Sequence, residues 1–552
     1  MITLRRLFSE LACTGVVLER HGDQRVTTVT CDSRKVVPGA VFVALRGAKQ
    51  DGHAYVQQAL ASGCSAVVVE DEPAVDGPAP IIRVRDSHQA YGLLAAAFYG
   101  QPGRAMVLIG LTGTNGKTTT SWIIEEMLRA EGKQVGVIGT VNYRYTDAEG
   151  RTVVLDAPLT TPEPMELQAL LREMRDRGVT HVVMEVSSHA LVQQRLAGLH
   201  FLVAVFTNLS RDHLDFHGGM EEYFAAKQRL FTQLLHGDGT AVIVTKTAGE
   251  PAGEEKDWGR RLIALLKEQG FSEDQRRGPG KKMIACGLGP DCSVRAVDCS
   301  QGLHGFQAEF AIKGKGHRVS APLIGEHNIL NMLAAAGVGV ALGLSPERIV
   351  RGLQGVAQVP GRLERVALPT RADKAQPAIV FVDYAHSPDA LDNVLRTLRP
   401  LTPGRLFCVF GCGGDRDRGK RPLMGKTVGE LADRIIITSD NPRSEEPAAI
   451  LSEIEAGVRQ AGFTRVKLSE LFGGKAQPGK FCVLADRREA IHSACALANA
   501  EDVVLIAGKG HEAYQITAEG KHFFDDRLEA RNAMLRWTVE GLLQATAGTL
   551  RR

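Results

Sequence analysis

Short runs of β-branched and apolar residues alternate with longer stretches of helical periodicity along almost the whole chain. "SAVVVE", "AMVLIGLTG", "QVGVIGTV", "HVVMEVSS", "VAVFTNLS", "AIVFVDYA", "LFCVFGCGG", "RIIITSDNP", "FCVLAD" and "DVVLIAGKG" each predict a strand buried on both faces, as in a parallel sheet. Several of these runs end in Gly, Ser, Thr, Asn or Asp, and helical patterns follow many of them. The expected fold class is therefore α/β. Open α/β sheets bind ligands beyond the carboxyl ends of their strands. Nearly every polar motif of this chain falls at such an end, which is the first pointer to function.

Two Pro/Gly turns between a helical stretch and a new strand suggest domain boundaries. One is "YGQPGRAM", just after Tyr99, and the other is "VAQVPGRLERV", around Val359. They divide the chain into three α/β domains, residues 1–101, 102–358 and 359–552. The opening "MITLRRLFSELACTGVVLER" reads as an amphipathic helix, with no apolar run long enough for a signal sequence. The polar segment 246–290 predicts one helix and an exposed loop.

Composition changes this picture little. With 552 residues, 44% of them hydrophobic and 23% charged, the chain is an ordinary globular protein too long for one core. A net charge of +3, from 66 basic and 63 acidic residues, gives no reason to expect nucleic acid or an anionic membrane as partner. No window approaches the roughly 18 apolar residues of a membrane span. The ten cysteines are scattered, and the spacing of Cys286, Cys292 and Cys299 fits no common zinc pattern. Free thiols in a reducing cytoplasm are expected.

The sharpest motif is "GLTGTNGKTTT", residues 110–120. It misses the usual phosphate-loop spacing by one place, with Leu111 where glycine is required and Gly110 and Gly113 on either side. Its context is nevertheless right: a strand, a glycine turn and a helix N-terminus. Backbone N–H groups of Gly113, Thr114, Asn115, Gly116 and Lys117 can converge on phosphate oxygens, aided by the helix dipole. Lys117 would reach the terminal phosphates and the Thr118 hydroxyl would bind Mg²⁺. Magnesium prefers further oxygen ligands. Glu185 stands at the end of "VVME", where an unpaired carboxylate is costly, so a metal ligand is the favoured reading. Asp212, His213, Asp215 and His217 share a short loop, and spacing alone leaves His213 equally a structural histidine.

"GLTGTNGKTTT", "MEVSSHALVQQR", "TNLSRDHLDFHG", "AAKQRLF", "GEHNILNMLAA", "VPGRLERV", "DYAHSPDAL", "GCGGDRDRGKRPLMG", "SDNPRSEEP" and "GKGHE" occur in that order in the chain. Together they resemble the Mur ligases of bacterial cell-wall synthesis, over nearly the whole sequence. In that family the G-T-N-G-K-T form of the loop is an ATP cradle. Within it the chain is most similar to members that add a diamino acid to UDP-N-acetylmuramoyl-L-alanyl-D-glutamate. The resemblance implies an ATP- and Mg²⁺-dependent amide ligase working through an acyl phosphate.

Residue roles follow from the same resemblance. Residues 113–119, including Thr119, would cradle ATP, with His327 and Asn328 at the adenine and Arg362 and Asp383 at phosphate and ribose. Taken alone, Lys227 on an amphipathic helix reads as a solvated lysine. The resemblance implies instead a carbamate on Lys227 that joins Thr118, Glu185 and His213 in holding metal. Ser33, and more weakly Lys49 and Gln50, would contact the uridine. Thr160, Thr161, Ser187, Gln193 and Arg195 would hold the muramoyl-peptide.

Meso-diaminopimelate carries a second carboxylate that lysine lacks, and a guanidinium matches that group best. Arg416 and Arg443 are the implied clamps, in a turn built by Asp440, Asn441 and Pro442. Glu512 and the Gly508 carbonyl would take the distal ammonium. On composition alone "GDRDRGKR" would read as a surface charge cluster. Groups drawn from separate domains imply that closure assembles the site. A monomeric, cytoplasmic protein without nucleic-acid or membrane partners is expected.

One departure stands out. Where the family has an Asn/Asp-rich strand end near V-I-N-x-D-D, this chain reads "AVIVTKTAGEPAG", so no nucleotide contact is assigned there. A lysine-adding or folate-polyglutamylating ligase would share the ATP loop, but "DNPR" together with "GKGHE" argues against both. A regulatory P-loop switch would need no three-domain substrate apparatus.

Overall fold

A computed structural model describes residues 2–9, 11, 20–47, 50–71, 77, 79–245, 257–276, 278–367, 378–472 and 479–536. They pack as two compact units. One falls within residues 1–298, 308–319 and 329–356, and the other within 299–307, 320–328 and 357–552.

The first unit holds a small parallel sheet and a larger mixed one. The smaller has four strands in sequential order, Val29–Thr30, Val41–Val43, Ala66–Val69 and Ile81–Arg83. The helix Ser87–Phe98 follows them. Its N-cap Asp86 accepts from the Gln89 amide at 2.9 Å, which satisfies one of the orphan donors of the first turn. Gly92 on this helix lies so close to Ala197 that a Cβ there would come within 2.7 Å of its side chain.

The parallel core of the larger sheet runs Val135–Ile138, His181–Glu185, Val107–Thr112, Phe201–Phe206, Leu235–Val244 and Lys282–Gly287. Two antiparallel strands, Tyr143–Thr146 and Thr152–Leu155, extend it beyond Val135–Ile138. The phosphate-loop strand Val107–Thr112 lies inside the sheet, with Leu111 opposite Glu185 and Thr112 opposite Phe206. Val182, Met184, Ala204 and Phe206 are buried in the adjoining core. Burying a side chain of this size contributes about 1.5–3 kcal/mol.

The second unit is built on a seven-stranded sheet. Its order is Glu364–Arg365, Ile379–Asp383, Val503–Ala507, Leu406–Phe410, Arg434–Ile437, Lys480–Val483 and Thr464–Arg465. Only the edge strand Glu364–Arg365 is antiparallel. A separate hairpin pairs Tyr514–Thr517 with Gly520–Phe523.

All ten segments expected to be strands are strands. Two expectations need correction. In the opening segment, expected to be helical, Ile2–Thr3 pairs as a strand with Arg25–Val26, Leu4–Leu7 and residues 20–21 are helical, and residues 1, 10 and 12–19 lie outside the described residues. Segment 246–290 contains the helix Trp258–Glu268, as expected, and also the strand Lys282–Gly287. That strand pairs with Leu235–Val244, and its flanking lysines and glycines hid it in the sequence. Residues 246–256 of the segment lie outside the described residues. Nine cysteines are free among the described residues, and no described helix is long and apolar enough to cross a membrane.

Candidate active site

The loop after Val107–Thr112 is held by its neighbour strand. Thr207 Oγ1 donates to the Asn115 carbonyl at 2.6 Å, Asn208 Nδ2 donates to the same oxygen at 3.0 Å, and Asn208 Oδ1 accepts from the Asn115 amide at 2.9 Å. Thr114 Oγ1 donates to the Ser210 carbonyl at 3.2 Å and lies 3.3 Å from the Tyr223 hydroxyl. "FTNLS" thus acts as a mould for the loop. Two glycines are required by close approach. A Cβ at Gly113 would stand 2.0 Å from Thr207 Oγ1, and one at Gly116, whose φ is +85°, would stand 2.4 Å from Asn331 Oδ1. The helix Lys117–Ala130 begins at this point, so its free N–H groups face the loop. Lys117 Nζ donates to the Gly113 and Thr114 carbonyls at 2.8 and 2.9 Å. Thr118 and Thr119 are buried.

Glu185 is buried and its carboxylate is fully engaged. Thr118 Oγ1 donates to Oε2 at 3.0 Å, Thr140 Oγ1 to the same oxygen at 2.9 Å, and the Thr140 amide to Oε1 at 3.2 Å. Thr140 Oγ1 also lies 3.0 Å from Thr160 Oγ1. The desolvation cost of a strand-end carboxylate is offset here by uncharged donors. Thr118 and Glu185, chosen from sequence, are therefore in contact, and they form a cluster of hard oxygen atoms beside the phosphate loop.

Lys227 lies on the helix Met220–Thr232 with only 2% of its surface exposed. Its Nζ donates to the Gly113 carbonyl at 2.9 Å and sits 4.4 Å from the centre of the Tyr223 ring. Burial, and after it the charge of Lys117, hold the Lys227 amine well below the ordinary lysine value. His213 has φ +53° and precedes the helix Leu214–His217. Its ring is half-exposed and packs edge-on to His189 at 5.1 Å, with Asp212 Oδ2 at 3.4 Å. His217 Nε2 lies 2.9 Å from Ser188 Oγ, and burial pushes His217 down to about 4. Among the described residues no group of three or more His, Cys, Asp or Glu side chains is gathered as a metal site.

The peptide-holding candidates form one continuous network. Thr161 Oγ1 donates to the Glu185 carbonyl at 2.8 Å and accepts from the Ser187 amide at 3.0 Å. Arg195 donates from NH1 to the Thr161 carbonyl at 2.9 Å and from Nε to Gln193 Oε1 at 2.9 Å, and pairs with Glu163 at 2.8 Å. Ser33 begins a single 3₁₀ turn, Ser33–Lys35, capped by Asp32. Gln50 closes a tight turn through its carbonyl to the Gly47 amide at 2.9 Å, and Lys49 lies outside the described residues. His327 and Asn328 open the helix Glu326–Ala341, where Asn328 Nδ2 caps the Ile324 carbonyl at 2.7 Å. Asn331 of the same helix accepts from Thr120 Oγ1 at 3.2 Å.

In the second unit Asp383 ends its strand buried, accepting from the Leu363 amide at 2.6 Å and the Ala385 amide at 2.8 Å. Burial raises its carboxyl, and the nearby Arg362 charge works against that rise. Arg362 stacks 4.7 Å over Tyr384.

The strand ends at residues 411–416, 440–443 and 508–512 meet. The Gly414 amide donates to the Asn441 carbonyl at 2.9 Å, and Arg443 NH1 donates to the Gly414 carbonyl at 2.8 Å. Arg416 is exposed and donates to the Asp415 carbonyl at 3.1 Å. Asp415 and Arg443 both have left-handed backbones, φ +52° and +54°. Strain of this kind persists where the surroundings enforce it. Here Asp415 Oδ1 and Oδ2 accept from the Ser444 hydroxyl and amide at 2.7 and 3.2 Å. Beneath the turn, fully buried Arg421 grips Glu445 at 2.8 Å and Glu453 at 2.9 Å. Asn441 Nδ2 donates to Glu512 Oε2 at 2.9 Å. Asp440 is buried, with its carbonyl accepting from Gln515 Nε2 at 2.8 Å. Opposite charges thus stand within one turn system, Arg443 on one side and Asp440 with Glu512 on the other.

Several contributors were not singled out from sequence. Thr140 directly follows a buried strand, and that strand-end position was the available signal. Tyr223 precedes Lys227 by one helical turn. Arg421 and Lys509 were inside quoted motifs, yet nothing in their spacing marks them as buried.

Three family profiles match successive parts of the chain. They are the Mur ligase family catalytic domain at residues 25–99, the Mur ligase middle domain at 111–339, and the Mur ligase glutamate ligase domain at 361–510. A UDP-N-acetylmuramoyl-L-alanyl-D-glutamate–2,6-diaminopimelate ligase from Geobacter metallireducens is 43% identical over 511 residues, 93% of this chain and 94% of its own length. A solved structure of a ligase bearing that name superposes with a TM-score of 0.64 at 31% identity, covering 97% of this chain and 99% of its own. A MurF ligase from Thermotoga maritima in complex with ADP shares the fold, with a TM-score of 0.55 at 19% identity over 93% of this chain and 99% of its own.

Proposed function

Because the chain belongs to the Mur ligase family, we propose that it joins meso-2,6-diaminopimelate to the D-glutamate carboxylate of UDP-N-acetylmuramoyl-L-alanyl-D-glutamate, with ATP converted to ADP and phosphate. The observation that carries the choice of amine donor is the second unit's turn system. It carries Arg443, with Arg416 on the adjoining loop, together with the carboxylates of Asp440 and Glu512. One end of diaminopimelate is a carboxylate beside an ammonium, and this pairing of charges is its complement.

In the first chemical step a carboxylate oxygen of the muramoyl-dipeptide bonds to the γ-phosphorus and ADP leaves. In the second the amine bonds to the acyl carbon, loses a proton, and phosphate leaves. The first step brings two anions together, so the protein must align and neutralise more than it must transfer protons. The loop amides of residues 113–117 and the Lys117 ammonium do this for the phosphates. Thr161, Ser187, Gln193 and Arg195 hold the peptide, with Arg195 exchanging Glu163 for a substrate anion. His327, Asn328, Arg362 and Asp383 serve the nucleoside and phosphate, and Ser33 the uridine.

The oxygen donors of Thr118 and Glu185, 3.0 Å apart, suit magnesium, and His213 would add a ligand. When bound, the ion neutralises phosphate charge. Lys227 suits carbamylation. Burial and the Lys117 charge hold its amine well below the ordinary lysine value, which favours the neutral form whose nitrogen lone pair can bond to CO₂ carbon and release a proton. The product is an anionic oxygen ligand where a cation would otherwise oppose Lys117. Three domains, with boundaries near Gln101 and Val359, and a monomer acting in the cytoplasm complete the proposal.

Phosphate release by the purified protein tests it. Release that requires ATP, the UDP-dipeptide and diaminopimelate together supports the assignment. Release without the amine, or with lysine as efficient as diaminopimelate, overturns it.

A further inference from the structure

Lys509 lies in the second unit with its side chain fully buried, between two glycines at the end of Val503–Ala507. Three acceptors surround its Nζ. These are Asn441 Oδ1 at 3.2 Å, Glu512 Oε2 at 3.6 Å, and the Tyr514 carbonyl in close contact. An ammonium has three donors and no acceptor capacity, so it fixes the identity of the atoms around it. Asn441 Oδ1 accepts both from Lys509 and from the Ile516 amide, the latter at 2.9 Å. The amide oxygen of Asn441 is therefore pinned on that side, and its Nδ2 is left to donate to Glu512 Oε2 at 2.9 Å. Glu512 Oε2 is thus turned toward Asn441 and Lys509, and the Tyr514 hydroxyl also reaches the carboxylate, so the orientation of Glu512 is fixed by its neighbours. Lys509 and Arg487, the latter paired with Asp526 at 2.6 Å, are the buried cations that interact with Asp440 and Glu512.

We propose that Lys509 is a positioning residue for the amine donor. By locking the Asn441 amide it aims the Glu512 carboxylate at the distal ammonium of the diamino acid. The proposal rests on the assignment of this turn system to the amine donor. Lys509 does not touch substrate. It fixes which oxygen of Glu512 faces Asn441, and with it the direction of the carboxylate.

The test compares diaminopimelate with 2-aminopimelate, which lacks the distal amino group and keeps both carboxylates. In Lys509→Met the ratio of kcat/KM for the two donors falls by about tenfold or more, as for loss of a hydrogen bond to a charged group. The KM values for ATP and for the UDP-dipeptide stay within about twofold of the parent. Asn441→Asp, which keeps the size of the side chain and opposes Glu512 with a second carboxylate, gives the same fall. This variant carries the test if Lys509→Met does not fold. A merely structural Lys509 would lower the rates with both donors alike. An unchanged donor ratio in the folded variants, or a KM for ATP that rises as much as that for diaminopimelate, overturns the proposal. Failure of the parent protein to use diaminopimelate in the same assay instead overturns the functional assignment on which it rests.

Discussion

Lys117 and Lys227 donate to the same oxygen, the carbonyl of Gly113, at 2.8 and 2.9 Å. Two ammonium groups about one carbonyl repel each other, and only Lys117 retains partial exposure to solvent. Lys227 is the one whose amine is pushed well below the ordinary lysine value, by burial first and by the field of the other second.

This pair sets a stability experiment. Between the depressed folded value of Lys227 and the ordinary value near 10.4, the unfolded chain holds a proton that the folded chain lacks. Stability from this group therefore rises with pH through that window. In CO₂-free buffer Lys227→Met raises Tm at neutral pH, and the gain shrinks as pH approaches about 10.4. Ligase activity is lost in the same variant. A gain in Tm that stays constant up to that pH would show that Lys227 is not held neutral.

Carbamate formation is checked separately. Intact-protein mass measured in bicarbonate shows an adduct of one CO₂, absent from Lys227→Met. A short-chain carboxylic acid restores part of the activity of Lys227→Ala. Full activity in the unrescued alanine variant would end the assignment.

The phosphate loop predicts a localised defect. Gly116→Ala places a methyl group 2.4 Å from Asn331 Oδ1 on a backbone with φ +85°. Activity falls by roughly a hundredfold, the scale of losing an oriented phosphate donor, with the fold intact by circular dichroism. Asn331→Ala, which removes the obstructing amide, recovers part of the loss in the double variant.

Arg443→Ala separates the substrates. KM for diaminopimelate rises by about tenfold or more while KM for ATP stays within about twofold, as expected for removal of a charge-assisted pair. Equal rises in both would count against the clamp.

Arg487 and Asp526 form a bidentate pair with neither side chain exposed, at 2.8 and 2.6 Å. The guanidinium also donates to the carbonyls of Ser439 and Ala507, at 3.3 and 3.0 Å, just before Asp440 and Gly508. Arg487→Met strands a buried carboxylate and costs about 3–5 kcal/mol in denaturant unfolding. Replacing both partners with apolar residues costs less than the single change.

The strands were legible in the sequence because each is a continuous apolar run, and the run length separates them from helices. The phosphate loop was legible despite Leu111, because strand, turn and helix flank it in order. Lys227 was not, although Tyr223, Leu230 and Phe231 lie four, three and four residues away and place it on the buried face of its helix. Weighing charge above periodicity made it look solvated. Glu185 reads from sequence as a carboxylate needing a cation, yet hydroxyls and an amide satisfy it, and hydroxyl donors carry no spacing signature. Arg421 and Lys509 escaped because burial of a long cation depends on acidic partners brought together by distant strand ends.

Thr112 Oγ1 donates to the Val186 carbonyl at 3.0 Å, while Thr161 Oγ1 bridges the Glu185 carbonyl and the Ser187 amide. Two hydroxyls therefore hold the consecutive 185–186 and 186–187 peptide groups in place. The Glu185 carboxylate and the Ser187 side chain thus share one backbone support, so a shift of either is felt mechanically at its neighbour.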